Sequence, residues 1–201
     1  FTVLLAGNDY KDPFYIKIII YHSPFKQKLK PTIITKESNI IFDKFASKIN
    51  SPIGFRLFLL MKLPAAFFCG VRVRYTDADK CAVTVPFKWL NKNPFRSTYF
   101  ACLSMAAEMS TGVLAMGHIY KKMPEVSMLV TKMEGNFFKK ATGTVTFISE
   151  DGRRIAAMVR EAMASGKSTS VNAYSTGKDK AGDTIAEFII TWSFKVKAAK
   201  V

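Results

Sequence analysis

Hydrophobic positions change their period along the chain, and each change marks an element. From Ile41 onward, "FDKFASKIN" and "PIGFRLFLLMKLP" read as two short helices, with Pro52 suited to a first helical turn and Pro64 ending or kinking the second. "GVRVRYTDADKCAVTVPF" then alternates: Val71, Val73 and Tyr75 against Arg72 and Arg74, and beyond the "TDAD" turn Cys81, Val83, Val85 and Phe87 on one face. A period of two on both sides of a turn predicts a hairpin. The loop "NKNPFRS" feeds a long, almost uncharged helix over roughly 97–121, capped either by Asn93, with Pro94 at the first position, or by Ser97. "VSMLVTKMEGNFF" and "ATGTVTFIS" read as strands that pair around Lys139 and Lys140. In "RRIAAMVREAMASG", Ile155, Met158, Val159, Ala162 and Met163 form one stripe of an amphipathic helix that stops at Gly166. "STSVNAYST" and "DTIAEFIITWSFKVK" are the last strands; in the second, Ala186, Phe188, Ile190, Trp192, Phe194 and Val196 alternate with polar neighbours. One face of that sheet is therefore buried and the other wet.

Two strands, a long apolar helix and four further strands with a short helix inserted predict an α+β domain: one antiparallel sheet of about six strands curled around the helix. Only that curl hides a helix that is apolar on most of its circumference. The domain is expected over residues 41–201. Residues 1–40 hold no lasting period apart from the strand-like "YIKIII" and read as an extension outside it.

Composition adds bounds. A chain of 201 residues with 49% hydrophobic residues can bury a normal core. The net charge of +15 favours acidic partners, but the cations are scattered as singles and pairs and no nucleic-acid-binding motif is present. No nucleic-acid partner is expected. Cys69, Cys81 and Cys102 lie in apolar runs with no CxxC pair, as expected for free thiols, and two histidines give no zinc site. "FRLFLLMKLPAAFFCGV" is too short to span a bilayer and carries Arg56, Lys62 and Pro64, while the long helix suits burial in protein. No membrane span is expected, and with no signal-peptide layout a cytoplasmic location is.

Glu108 stands out, a lone acid within "LSMAAEMSTG". A buried carboxylate is costly unless compensated. Its helical neighbours are Ser104, Met105, Thr111 and Gly112, so no cation of the same helix reaches it. Glu108 is then a functional acid, a structural acid with hydroxyl partners, or an exposed one. His118 reads as a last-turn charge at the helix end. Met105, Met109, Met116, Met128 and Met133 suit core and the lining of a ligand cavity alike.

The order of elements and "NPFRSTYFACLSMAAEMSTG" resemble the hot-dog thioesterase superfamily, in particular the phenylacetate-pathway-like thioesterases and related uncharacterised bacterial hot-dog proteins. Their helix pattern runs N-x-x-G-[ST]-x-F-G-G-x-L-x-x-L-x-[DE], and Asn93, Ser97, Leu103 and Glu108 fall at matching places. "FFKKATGTV" is similar to a second segment, F-x-x-P-A-x-G-x-[LV]. The resemblance implies a hot-dog fold, an acyl thioester substrate with coenzyme A as part of it and no other cofactor, and a homodimer or homotetramer. It further implies Glu108 as general base, with Ser104 or Thr111 holding water and backbone donors from Tyr99, Phe100 or Ala101 at the helix start. Asn93 and Ser97 complete the substrate-binding set, and Lys139, Lys140, Arg153 and Arg154 are candidates for coenzyme A phosphates. Phe100 and Ala101 replace the family's paired glycines, and no histidine precedes them. That departure keeps a second expectation open, a non-catalytic module binding acyl-CoA or fatty acid, and disfavours a dehydratase. Without a G-x-S-x-G elbow, Ser97 reads as no nucleophile.

Overall fold

The computed structural model describes residues 36–197. The expectation of an extension over residues 1–40 falls outside them except at its end, where helix α1 (Lys36–Ile49) already begins. Helices α2 (Pro52–Lys62) and α3 (Pro64–Cys69) follow, the Pro64 break separating them and Gly70 closing α3 in the left-handed region at φ 77°. Strands β1 (Arg72–Thr76) and β2 (Cys81–Val85) precede the core helix α4 (Phe100–Ile119). Then come β3 (Val126–Phe137), β4 (Val145–Ser149), helix α5 (Gly152–Ser165), β5 (Thr169–Lys178) and β6 (Thr184–Val196).

The six strands form one antiparallel sheet in the order β1-β2-β4-β5-β6-β3. Its inward residues, among them Val83, Phe147, Ala173, Ile190 and Phe194, close on α4, whose Ala106, Ala107, Val113, Leu114 and Ala115 are fully buried. Within this enclosure Ser110 donates to the Ala107 carbonyl at 2.8 Å and meets the Ser175 hydroxyl at 2.8 Å, whereas the Ser149 hydroxyl, buried on β4, has no partner among the described residues. The amphipathic α5 lies beside α4 with Ile155, Val159 and Ala162 inward, and Gly166 caps it at φ 67°.

Three expectations of strand pairing, register and capping are corrected. First, β3 does not pair with β4 but with β6, at the far edge of the sheet. Strand length decides this: β3 has 12 residues and β6 has 13, whereas β4 has 5 and would leave most of β3's backbone groups unpaired. Second, Tyr75 does not share the inward face of Val73. The β1–β2 register shifts between Val73 and Tyr75, so Tyr75 is exposed and Thr76 is buried. Third, neither Asn93 nor Ser97 caps α4; the helix opens at Tyr99, with no side-chain cap.

Helix α1 closes the far end of α4. Phe42, Phe45, Ala46 and Ile49, one stripe at helical spacing, are buried. The Phe42 ring lies against Gly117, where a β-carbon would stand 2.2 Å from it. His118, expected as a terminal charge, is tucked beneath the same ring at 4.8 Å between centroids, and its Nε2–H donates to the Ala78 carbonyl at 2.9 Å. Burial pushes its pKa down to about 4, so it is neutral at pH 7.

Gly117→Val should force Phe42 out of its seat and lower stability by about 3 kcal/mol or more, read by chemical denaturation. His118 takes up protons in the unfolded chain near pH 6.5 but in the folded chain only near pH 4. Its contribution to stability is thus present above about pH 6.5 and lost as pH falls towards 4, by at most about 3 kcal/mol. His118→Gln should flatten that part of the stability–pH curve.

Candidate functional site

The first half of α4 is enclosed on all sides but one. From Cys102 to Ala115 nearly every residue is buried; Ala101, Ser104, Met105 and Glu108 are only partly covered. Those four stand at i, i+3, i+4 and i+7 and so share a single open face. Glu108 lies on it without being exposed to bulk water. Its carboxylate has no hydrogen-bond or ion-pair partner among the described residues, and burial alone raises its pKa.

The carboxylate leans along the helix towards Gly112 and the indole of Trp192. A β-carbon on Gly112 would stand 3.1 Å from Glu108 Oε1 and 3.1 Å from Trp192 Cζ2. Glycine makes room there for both. Trp192 is held by Thr111, whose hydroxyl accepts from the indole Nε1–H at 2.9 Å and donates to the Glu108 carbonyl at 3.0 Å. Thr111 is fully buried and its hydroxyl is engaged on both sides. Ser104 is partly open; its hydroxyl donates to the Phe100 carbonyl at 3.0 Å and keeps its lone pairs for another donor.

The start of α4 is shaped by the loop before it and by the link after β3. Asn93 organises that loop, its Oδ1 accepting from the Phe95 and Ser97 amides at 3.0 and 3.1 Å and from the Ser97 hydroxyl at 3.2 Å. Ser97 is buried in this turn. The Tyr99 amide donates to the Asn91 carbonyl at 2.7 Å, whereas those of Phe100 and Ala101 have no partner among the described residues. The link after β3 passes the same point: the Thr98 amide and hydroxyl both donate to the Ala141 carbonyl, at 2.8 and 3.1 Å. Phe100 faces Phe137 at 6.4 Å between ring centroids. Both sequence segments singled out by resemblance therefore meet at one end of the core helix.

The four cationic candidates are not gathered. Lys139, beside this link, binds Asp183 at 2.6 Å and Asp179 at 3.3 Å; these carboxylates raise its pKa. Lys140 is exposed with no ion pair among the described residues. Arg153 and Arg154 stand at the start of α5, paired with Asp79 at 2.9 Å and Asp151 at 2.8 Å. A hollow of about 390 Å³ lies away from Glu108, on the outer face of β4 and β5, lined by Ile148, Asp151, Tyr174, Thr176 and Lys178 among others. Sequence reasoning missed Trp192 as the wall beside Glu108 and Asn91 as the acceptor for Tyr99. The alternation in β6 placed Trp192 inward, but no local signal pairs residues 81 positions apart.

Residues 54–194 match the family described as a domain of unknown function, DUF4442. No curated protein matches the chain by sequence. Among solved structures, a protein of unknown function and probable thioesterase from Pseudomonas aeruginosa, PA5026, is 20% identical with a TM-score of 0.62, over 73% of this chain and 97% of that one. A thioesterase family protein from Silicibacter pomeroyi is 15% identical with a TM-score of 0.54, over 76% and 99%. The PaaI protein of the E. coli phenylacetic acid degradation operon is 13% identical with a TM-score of 0.55, over 77% and 97%. These likenesses establish the hot-dog fold: the curved six-stranded sheet wrapped around α4.

An unpaired, desolvated carboxylate destabilises the protein that holds it. Glu108→Gln should raise Tm by about 2–4 °C at neutral pH. The folded chain keeps the Glu108 proton to a higher pH than the unfolded one. The gain over the parent should therefore shrink as pH falls to the ordinary carboxylate range and the glutamate becomes neutral in both states. Calorimetry across pH checks both outcomes.

Proposed function

Because the chain belongs to the DUF4442 family, a domain of unknown function, and carries it on a hot-dog core, we propose that it is a thioesterase-like hydrolase acting on acyl-CoA. Glu108 takes a proton from water as the water oxygen attacks the thioester carbonyl carbon. The carbonyl oxygen becomes an oxyanion, received by the Phe100 and Ala101 amides at the positive end of α4. Collapse of the tetrahedral intermediate expels the coenzyme A thiolate, which takes the proton back from Glu108 and leaves a free acid and a thiol. The observation that carries this reading is the partnerless carboxylate of Glu108, held beside an indole on the one open face of an otherwise enclosed helix.

The remaining residues take narrower roles. Ser104 shares the open face and accepts a hydrogen bond from the attacking water; Thr111 instead fixes Trp192. Asn93 and Ser97 act by shaping the loop that leads to Phe100, and Tyr99 borders the substrate with its ring, since its amide is taken. Lys140, with Lys139 beside it, is best placed for coenzyme A phosphates; Arg153 and Arg154 are the weaker candidates. Coenzyme A enters as part of the substrate, in the cytoplasm.

Ala101 and Glu108 are seven residues apart, about 10 Å of helix rise, and the carboxylate leans away from the helix start. That separation supports a homodimer or homotetramer in which one copy's amides face another copy's Glu108. A second reading, a non-catalytic acyl-CoA or fatty-acid-binding module, is favoured by one observation: the Phe100 and Ala101 side chains stand where the resembled family has glycines, narrowing the approach to the amides.

A panel of acyl-CoAs assayed by thiol release should show turnover. Glu108→Gln should lower kcat by roughly 10²–10⁴-fold without loss of fold. Equal turnover in parent and variant would remove Glu108 from the chemistry. Acyl-CoA binding with no turnover in either protein would establish the second reading.

A further inference from the structure

Apart from Arg56 and Lys62, helix α2 carries only apolar side chains and a glycine, yet only one side of it is buried. Phe55 and Leu59, one turn apart, face the core. On the opposite side Ile53, Leu57, Leu60 and Met61 stand at i, i+4, i+7 and i+8, with Ile53 83% and Met61 63% exposed. A contiguous apolar stripe left exposed marks an interaction surface. The surface continues next door. Phe68 of α3 is exposed, and the short turn Trp89–Asn91 is tied to the end of α3 by Asn91, whose Nδ2 donates to the Cys69 carbonyl at 3.0 Å. That turn presents Leu90 and Trp89, the latter 76% exposed.

Charge identifies the occupant. Between Ser51 and Thr76 the chain carries Arg56, Lys62, Arg72 and Arg74 and no carboxylate; between Cys81 and Ala107 it carries Lys88, Lys92 and Arg96 and again none. Lys62 ends α2, and Lys88 Nζ lies beside Gly70 at the end of α3. A second copy docking by two-fold symmetry would set this cationic rim against itself. An anionic bilayer surface complements both features: apolar side chains enter the headgroup boundary, tryptophan settles at the interface, and the surrounding lysines meet lipid phosphates and carboxylates. We infer that α2, with the neighbouring Trp89–Asn91 turn, is a docking surface through which the protein lies on anionic phospholipid membranes.

Flotation of the full chain with phosphatidylcholine vesicles, with and without phosphatidylserine, tests this. The protein should float with the phosphatidylserine vesicles, far less with phosphatidylcholine alone, and detach as salt is raised. Leu57→Glu with Met61→Glu, both at exposed positions, should keep the parental circular dichroism and Tm and abolish flotation. Lys62→Gln should weaken binding about fivefold. Three results would each overturn the inference: no flotation of the parent, equal flotation of the double variant, or a double variant that light scattering shows to be a smaller oligomer than the parent. The last would mean that a second copy covers the stripe.

Discussion

Enclosure of α4 is the constraint on which everything else depends. A twenty-residue helix that is apolar on most of its circumference needs a low-polarity surround on almost every side. The sheet supplies it by curling, and small residues along the helix let the strands come close. Polar groups of the helix that are buried there find partners close by. Ser110 finds Ala107 and Ser175, and Thr111 finds Trp192 and the carbonyl of Glu108. The same rule makes Glu108 exceptional, since its carboxylate alone on this helix is left without a partner among the described residues.

The exception sits where the enclosure has its gap. Ala101, Ser104, Met105 and Glu108 form the open face, and the two amides that begin α4 lie at its end. Helix geometry thus puts an acid and two unfilled donors on one side of one rod. It also keeps them about 10 Å apart along the rod. Phe100 and Ala101 modify the donor end and Gly112 the acid end, the first by filling space and the second by leaving it.

The outer layer obeys a different logic. Helix α1 spends its apolar stripe on the core, with Phe42 seated on Gly117 and the Asn50 side chain bonded to the Thr76 amide and carbonyl at 3.0 and 3.1 Å. Helix α2 spends only Phe55 and Leu59, and keeps an apolar face outward amid cations.

Much of this was legible in the chain. Periods of two and of helical spacing located the hairpin, α5 and the last two strands, because periodicity records which side of an element is buried, and a long run with almost no charge located α4. Glu108 was legible too, as a charge with no cation within helical reach. Other features depend on contacts between distant residues. Which strand β3 joins depends on a match of length with β6, some fifty residues away. Whether Tyr75 points inward depends on a register shift set by its partner strand. Whether His118 is charged depends on its burial beneath the Phe42 ring, which outweighs the opposing hydrogen bond to the Ala78 carbonyl. Sequence patterns report burial one element at a time; strand order, register and the proton on a buried side chain follow from what the other elements place beside it, and only the assembled fold decides those.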